Sequence, residues 1–391
     1  MSLHVFLIAG EPSGDVLGAR LMAALRSMTG GGQGVRFSGV GGPLMAAEGL
    51  ESLFPMDELT LFGLAEILPK IPALKRRIDQ TVAAARDAAP DVLVTIDSPG
   101  FSYRVGRRLG DRRFPLIHYV APSVWAWKPG RARKVAAFLD HLMALLPFEP
   151  PYFEREGLPT TFVGHPIVES GAGSGDGARF RAAHGLPGDA PVLCVLPGSR
   201  GSELRRLGGP FGETVGRLGE RHPDLRVVVP TLAGIEGAVR DLVAGWPRPA
   251  LVVTGDAAKY DAFAAADAAL AASGTVALEL ALAGTPSVIG YRVAPATAIL
   301  ARLLLRTRYV NLVNILEDAP VVPELLQERC EPGRLSVELA RLLEDPGARA
   351  AQRAVIDRVA SRLGRDGPPP SRRAAEVVVR VAGEGRRRLG A

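Results

Sequence analysis

The side chains best suited to chemistry fall in a few short stretches. Ser273-Gly274-Thr275 follows an apolar run that ends at Ala272 and precedes a helical pattern, so two hydroxyls and a permissive glycine stand where a helix should begin. A helix start offers backbone N–H groups without intrahelical acceptors and the positive end of the helix dipole, which together seat a phosphate without a cationic side chain. Glu279 lies four residues beyond Thr275, one turn below it on the same face and within reach of a ribose. An ordinary capped helix with a surface glutamate has the same spacing. Pro197-Gly198-Ser199-Arg200-Gly201 forms a second glycine loop, where Ser199, backbone N–H groups and the Arg200 guanidinium suit another part of a phosphate group. A solvated arginine would leave the same trace.

In the first half, the apolar run Asp91–Ile96 ends at Asp97, before Ser98-Pro99-Gly100. Ligands of open parallel sheets gather beyond the carboxyl ends of strands, so Asp97 stands where a general base is useful. Burial under an apolar lid would raise its pKa from about 3.9. Its simpler role is to cap the following helix. Gly10-Glu11-Pro12-Ser13-Gly14-Asp15 is a glycine loop that lacks both the dinucleotide fingerprint and the P-loop lysine. Glu11 and Asp15 would repel a pyrophosphate, which points to a different ligand from the one at Ser273. Asn311 and Asn314 offer amides, and Glu324–Gln327 reads as a short helix carrying Gln327; turns and caps use such amides equally often.

These residues need strand ends to hold them. Apolar runs at His4–Ala9, Val35–Val40, Asp91–Ile96, Leu116–Val120, His141–Leu146 and Thr161–Gly164 alternate with helical patterns. The same grammar restarts at Val192–Leu196. The fold class expected is α/β, with two Rossmann-like domains: residues 1–169, a glycine-rich linker at 170–177, and residues 178–366. A further hinge precedes a terminal helix, 371–391, expected to fold back on the first domain.

Composition bounds the rest. The 391 residues are 47% hydrophobic, ample for two cores, and the two cysteines fit neither a disulfide framework nor a zinc site, which implies a reducing compartment. The amino terminus reads as a buried strand and not as a secretion signal, and no apolar run is long enough to span a bilayer. The net charge of +6 is mostly arginine and lacks any nucleic-acid-binding signature, so no nucleic acid partner is expected. Leu59–Ile78 is apolar, is broken by Pro69 and Pro72, and carries Lys70, Lys75, Arg76 and Arg77. It reads as a hydrophobic hairpin with a basic edge for an anionic membrane surface, or as a core helix pair with a solvated end.

The segments IAGEPSGD, GVGGPLMAAEG, IDSPGF, HYVAPSVWAW, LPFEPPYFEREG, GHP, LPGSRGSE, ASGTVALE and ELLQERC lie in order along nearly the whole chain. Together they resemble the lipid-A-disaccharide synthases, glycosyltransferase family 19. The resemblance implies a GT-B enzyme with parallel sheets facing across a cleft. It would condense UDP-2,3-diacylglucosamine with 2,3-diacylglucosamine 1-phosphate, with inversion, at the inner face of the cytoplasmic membrane. It places the base at Asp97, the UDP contacts at Ser199, Arg200, Ser273, Gly274, Thr275, Glu279, Asn314 and Gln327, and the acceptor side at Glu11, Ser13, Gly14 and Asp15. No metal or cofactor is expected, in keeping with the lack of a D-x-D triplet. A homodimer is one assembly it allows. The rivals are another metal-independent GT-B enzyme, such as a UDP-sugar epimerase, and a non-catalytic, membrane-tethered sugar-nucleotide binder.

Overall fold

The largely apolar strands Leu3–Ala9, Val92–Ile96 and Val192–Leu196 are buried at every position, His4 and Thr95 included, because each lies inside a parallel sheet covered on both faces. The structure, a computed structural model, describes residues 2–30, 34–59 and 64–389. The chain divides into two units, residues 1–166 with 366–391 and residues 167–365.

The first unit holds β1 (Leu3–Ala9), β2 (Val35–Val40), β3 (Val92–Ile96), β4 (Leu116–Tyr119), β5 (His141–Ala144) and β6 (Thr160–Phe162). They form one parallel sheet in the order β2-β1-β3-β4-β5-β6. Alternate β1 residues serve opposite faces. Val5, Leu7 and Ala9 pack with Leu17, Leu21 and Leu25 of helix Pro12–Met28 and with Ala374, Val378 and Val381 of the terminal helix Pro370–Leu389. Phe6 and Ile8 face Ile78, Val82 and Phe101. Full burial of each such aliphatic side chain contributes about 1.5–3 kcal/mol. The terminal helix is also tied to the sheet by Arg386 Nε, 2.7 Å from Asp91 Oδ1. The last two residues lie outside the described ones.

The second unit holds β7 (Val192–Leu196), β8 (Arg226–Thr231), β9 (Ala250–Thr254), β10 (Ala268–Ala271), β11 (Ser287–Tyr291) and β12 (Glu324–Leu326), ordered β12-β11-β10-β7-β8-β9 and again all parallel. In each unit the chain lays strands outward in one direction, then returns to build the other. The direction reverses between β1 and β3 in the first unit and between β7 and β10 in the second. The loops beyond these strand pairs diverge to opposite faces and leave a crevice, the usual ligand position in such sheets.

Three segments differ from the expectation. Glu324–Leu326 is a strand and not a helix, because pairing Ile289 with Glu324 closes the sheet edge that a helix would leave open. Leu64–Ala88 is one helix despite Pro69 and Pro72, and not a hairpin; Ile71, Pro72 and Lys75 of its early turns are exposed, so proline costs a backbone bond there but no core packing. Residues 60–63 of the Leu59–Ile78 segment lie outside the described ones. The run 170–177 belongs to the second unit, where a Cβ on Gly175 would fall 2.0 Å from the Tyr260 carbonyl oxygen and the Asp176 N–H donates to Asp261 Oδ1 at 2.7 Å.

Candidate active site

At the β1/β3 switch point, Asp97 is the first residue beyond β3 and adopts φ +48°, followed by Ser98 at φ +46°. Two successive left-handed non-glycine residues cost about 1–2 kcal/mol each, strain that the surrounding bonds must hold. The Asp97 N–H donates to the Tyr119 carbonyl at 2.9 Å, and the Ser102 hydroxyl donates to the Asp97 carbonyl at 2.8 Å. The helix cap is Ser98, which leaves the Asp97 carboxylate free of that task. The β1 loop meets it: the Ser13 hydroxyl hydrogen-bonds the Asp97 carboxylate, and a Cβ on Gly10 would lie 2.7 Å from Ser98 Oγ. Burial raises the Asp97 pKa above the ordinary carboxylate value, against the pull of the Ser98 N–H and the Ser13 hydroxyl. Burial, and then the Asp97 charge, likewise raises that of Glu11. Glu11, Ser13 and Asp97 thus form one cluster, with Gly14 buried behind it beside the Ile96 carbonyl.

Asp15, on the same loop, is committed elsewhere. Its carboxylate accepts the N–H groups of Gly42 at 2.9 Å, Leu44 at 2.9 Å and Met45 at 3.0 Å, so it anchors helix Pro43–Ala47. With its oxygens occupied and only 3% of the residue exposed, it supports the loop and does not face a ligand.

At the β7/β10 switch point the ends of the two strands are joined by the Ala272 N–H, which donates to the Leu196 carbonyl at 2.9 Å. Ser199 and Arg200 follow β7 and are exposed. Ser273, Gly274 and Thr275 follow β10, with Gly274 at φ +150°, a backbone conformation open to glycine, and they lead into helix Val276–Leu282. The N–H groups of Ala277 and Leu278 turn back to the Gly274 and Thr275 carbonyls at 3.2 Å and 2.9 Å, so the helix start presents the N–H groups of the turn before it. Glu279 Oε1 accepts from Lys259 Nζ at 3.0 Å and from the Tyr260 hydroxyl at 3.3 Å. Burial alone would lower the Lys259 pKa, but the Glu279 and Asp256 carboxylates outweigh it and hold the ammonium charged.

One residue the sequence reading passed over organises the first of these loops. Glu203, 7% exposed, accepts the N–H groups of Ser199 at 2.9 Å and Arg200 at 3.3 Å on one oxygen and the Tyr291 hydroxyl at 3.2 Å on the other. A glutamate at the third position of a helix was its only advance sign.

Asn314 and Gln327 lie on the segments that lead into and out of β12, and each is hydrogen-bonded within the protein. Asn314 is fully buried in helix Leu312–Glu317, where its amide donates to the Val322 carbonyl at 2.8 Å and to Glu324 Oε1 at 2.9 Å and accepts the Val322 N–H at 2.8 Å. It braces the approach to β12. Gln327, at φ +52°, pairs its amide with the N–H and carbonyl of Val293, at 3.1 Å and 3.3 Å, while lining a cavity of about 680 Å³ with Arg206, Arg292 and Ile299.

Among the described residues, no helix is long and apolar enough to cross a membrane. Helix Pro295–Leu304 instead turns apolar side chains outward, with Ile299 60%, Leu300 55% and Leu303 77% exposed, and Arg306 and Arg308 are exposed just beyond it.

The chain matches the lipid-A-disaccharide synthetase family over residues 5–369. It is 61% identical to a lipid-A-disaccharide synthase of Rhodospirillum centenum, across 97% of this chain and 94% of that one. Among solved structures it resembles a glycosyltransferase from Rickettsia africae, with TM-score 0.61 at 11% identity and coverage of 97% and 98% of the two chains. It also resembles a UDP-GlcNAc 2-epimerase from Neisseria meningitidis bound to UDP-GlcNAc, with TM-score 0.59 at 11% identity and coverage of 98% and 100%. At such identities the solved structures speak to the fold, and they agree with two parallel six-stranded sheets of GT-B type. The chain belongs to the lipid-A-disaccharide synthase family, GT-B glycosyltransferases that act in lipid A biosynthesis.

Proposed function

We propose that this enzyme transfers the diacylglucosamine group of UDP-2,3-diacylglucosamine to 2,3-diacylglucosamine 1-phosphate. The observation that carries the reading is that each unit, taken by itself, sets polar groups on the loops at its own switch point. The first unit presents a half-buried carboxylate of raised pKa at Asp97, and the second presents Ser199, Arg200 and the Ser273–Thr275 turn. Asp97 accepts the proton of the acceptor 6-hydroxyl. The oxygen attacks the anomeric carbon from the face opposite the diphosphate, the carbon–oxygen bond to UDP breaks, and UDP leaves with the electron pair, so the α-linked donor gives a β-linked product. Backbone N–H groups at Gly274 and Thr275 and the Arg200 guanidinium meet the charge that develops on the diphosphate. Glu279, steadied by Lys259 and Tyr260, holds the ribose.

Both substrates carry acyl chains, and we place the enzyme peripherally on the inner face of the cytoplasmic membrane. Two surfaces support this. One is the exposed Ile71 with Lys75 and Arg76 on helix Leu64–Ala88; the other is the outward apolar face of helix Pro295–Leu304 with its two arginines. Apolar side chains beside cations suit an anionic bilayer. The deciding experiment incubates the protein with both acylated substrates, without added metal, and weighs the lipid product by mass spectrometry. A disaccharide 1-phosphate with release of UDP is expected; UDP-sugar epimerisation, or binding without turnover, would overturn the reading.

A further inference from the structure

The loop after β4 and the short helix Arg131–Ala136 that follows it carry a cluster of cations. Lys128, Arg131, Arg133 and Lys134, with Gly130 and the single acid Glu156, line a cavity of about 440 Å³. Elsewhere in this unit the guanidiniums of Arg77, Arg112 and Arg386 each meet a carboxylate. Among the described residues, no ion pair or side-chain hydrogen bond engages the heads of these four cations. Like charges so close repel one another, and a dianion removes that cost.

The cluster is also partly ordered in advance. The Trp127 ring lies under Lys128 Nζ, 4.5 Å from its centroid, and under the Arg131 guanidinium at 5.4 Å, so both heads share one aromatic floor. Lys128 adopts φ +52°, and its carbonyl accepts the Arg131 N–H at 3.0 Å, which closes the turn. The loop leaves β4, the strand beside β3, and the Tyr103 phenol lies within electrostatic reach of both Asp97 and Arg131. The cations therefore lie in the same unit as Asp97, on the segment that follows the neighbouring strand.

We propose that Lys128, Arg131 and Lys134 form a site for the phosphate monoester of the glycolipid acceptor, with Trp127 as its floor. A monoester dianion offers three oxygens to ammonium and guanidinium donors, and charge-assisted bonds of this kind are the stronger class. The inference rests on the proposed acceptor. The phosphates of a bilayer are the other source of the same chemistry.

The test titrates wild-type protein and an Arg131→Gln, Lys134→Gln variant with detergent-dispersed 2,3-diacylglucosamine 1-phosphate and with the same lipid lacking its phosphate, following tryptophan fluorescence. A parallel arm measures cosedimentation with phosphatidylglycerol vesicles. The variant should bind the phosphorylated lipid about ten- to a hundredfold more weakly, while its affinity for the phosphate-free lipid and for vesicles stays within about twofold. Equal weakening toward both lipids, or no weakening, overturns the site. A loss confined to vesicles assigns the cations to the bilayer and overturns it too. An Arg131→Lys, Lys134→Arg variant keeps the charge and should retain most of the phosphate preference; failure there also counts against it. Because binding is read without turnover, absence of glycosyl transfer would count against the proposed reaction and leave this result legible.

Discussion

The Ser13 hydroxyl donates to the Asp97 carboxylate, so the loop after β1 helps to set the protonation of a group that ends β3. If Asp97 is the base, it must be ionised, and activity falls as pH drops through its pKa. Removing a donor that favours the charged form raises that pKa further, so Ser13→Ala should move the acid limb of the kcat profile to higher pH. Asp97→Asn should lower kcat by about 10²–10⁴-fold while leaving UDP affinity nearly unchanged. An acid limb that stays in place in Ser13→Ala, or near-normal turnover in Asp97→Asn, would remove Asp97 from the mechanism.

Arg200 and Asn314 make opposite predictions, although the family resemblance assigned both to UDP. The Arg200 side chain is 77% exposed, and its intramolecular ion pair is a long 3.6 Å contact with Glu203. Arg200→Ala should therefore weaken UDP binding about tenfold with little change in unfolding midpoint. Asn314→Ala strands the Val322 N–H and carbonyl in the interior and should cost about 2–3 kcal/mol of stability. Calorimetric titration with UDP and urea denaturation of both variants separate the two roles; a selective UDP defect in a stable Asn314→Ala protein would restore it to the site.

Much of this arrangement was legible in the residue string, and the misses share a cause. Fully apolar runs such as Val192–Leu196 identify parallel strands, and a polar residue directly after one, as at Asp97 and Ser273, marks its carboxyl end. The fate of a polar side chain is decided by backbone that comes from far away in sequence. Asp15 is consumed by N–H groups near residue 43, and Asn314 by Val322 and Glu324. Glu203 looked like a plain helix residue until Tyr291, 88 positions later, reached it. The helix expected at Glu324–Gln327 failed over its first three residues for the same reason, since only the vacant edge of β11 makes them a strand.

Membrane contact can be divided between its two candidate surfaces. Leu303 and Ile299 lie on the outward face of helix Pro295–Leu304, away from the buried Ala298, so replacing them costs little packing. An Ile299→Gln, Leu303→Gln variant should sediment less with phosphatidylglycerol vesicles, by about tenfold if both side chains enter the acyl region. Its unfolding midpoint should not fall. Undiminished sedimentation would leave the contact to Ile71, Lys75 and Arg76, where Ile71→Gln is the matching measurement.

The first unit should also lose stability in mild acid, and the sign follows from opposing groups. Burial holds the His118 pKa down to about 3 and those of His141 and His165 down to about 4. Between about pH 6.5 and 4 the unfolded chain takes up these protons and the folded unit does not, so each histidine removes about 1.4 kcal/mol per pH unit as pH falls. Glu149 works the other way. Burial raises its pKa to about 7 despite hydrogen bonds from the Leu146 and Leu145 N–H groups and the Trp125 indole, so its contribution is present below the unfolded value near 4.5 and is lost as pH rises toward 7. The three histidines outweigh Glu149 in the shared window, and urea midpoints should drop on going from pH 6.5 to 5. Glu149→Gln removes one opposing slope and should make that drop steeper, whereas His118→Asn should make it shallower. A midpoint that does not change over this range would mean that water reaches these histidines in the folded protein.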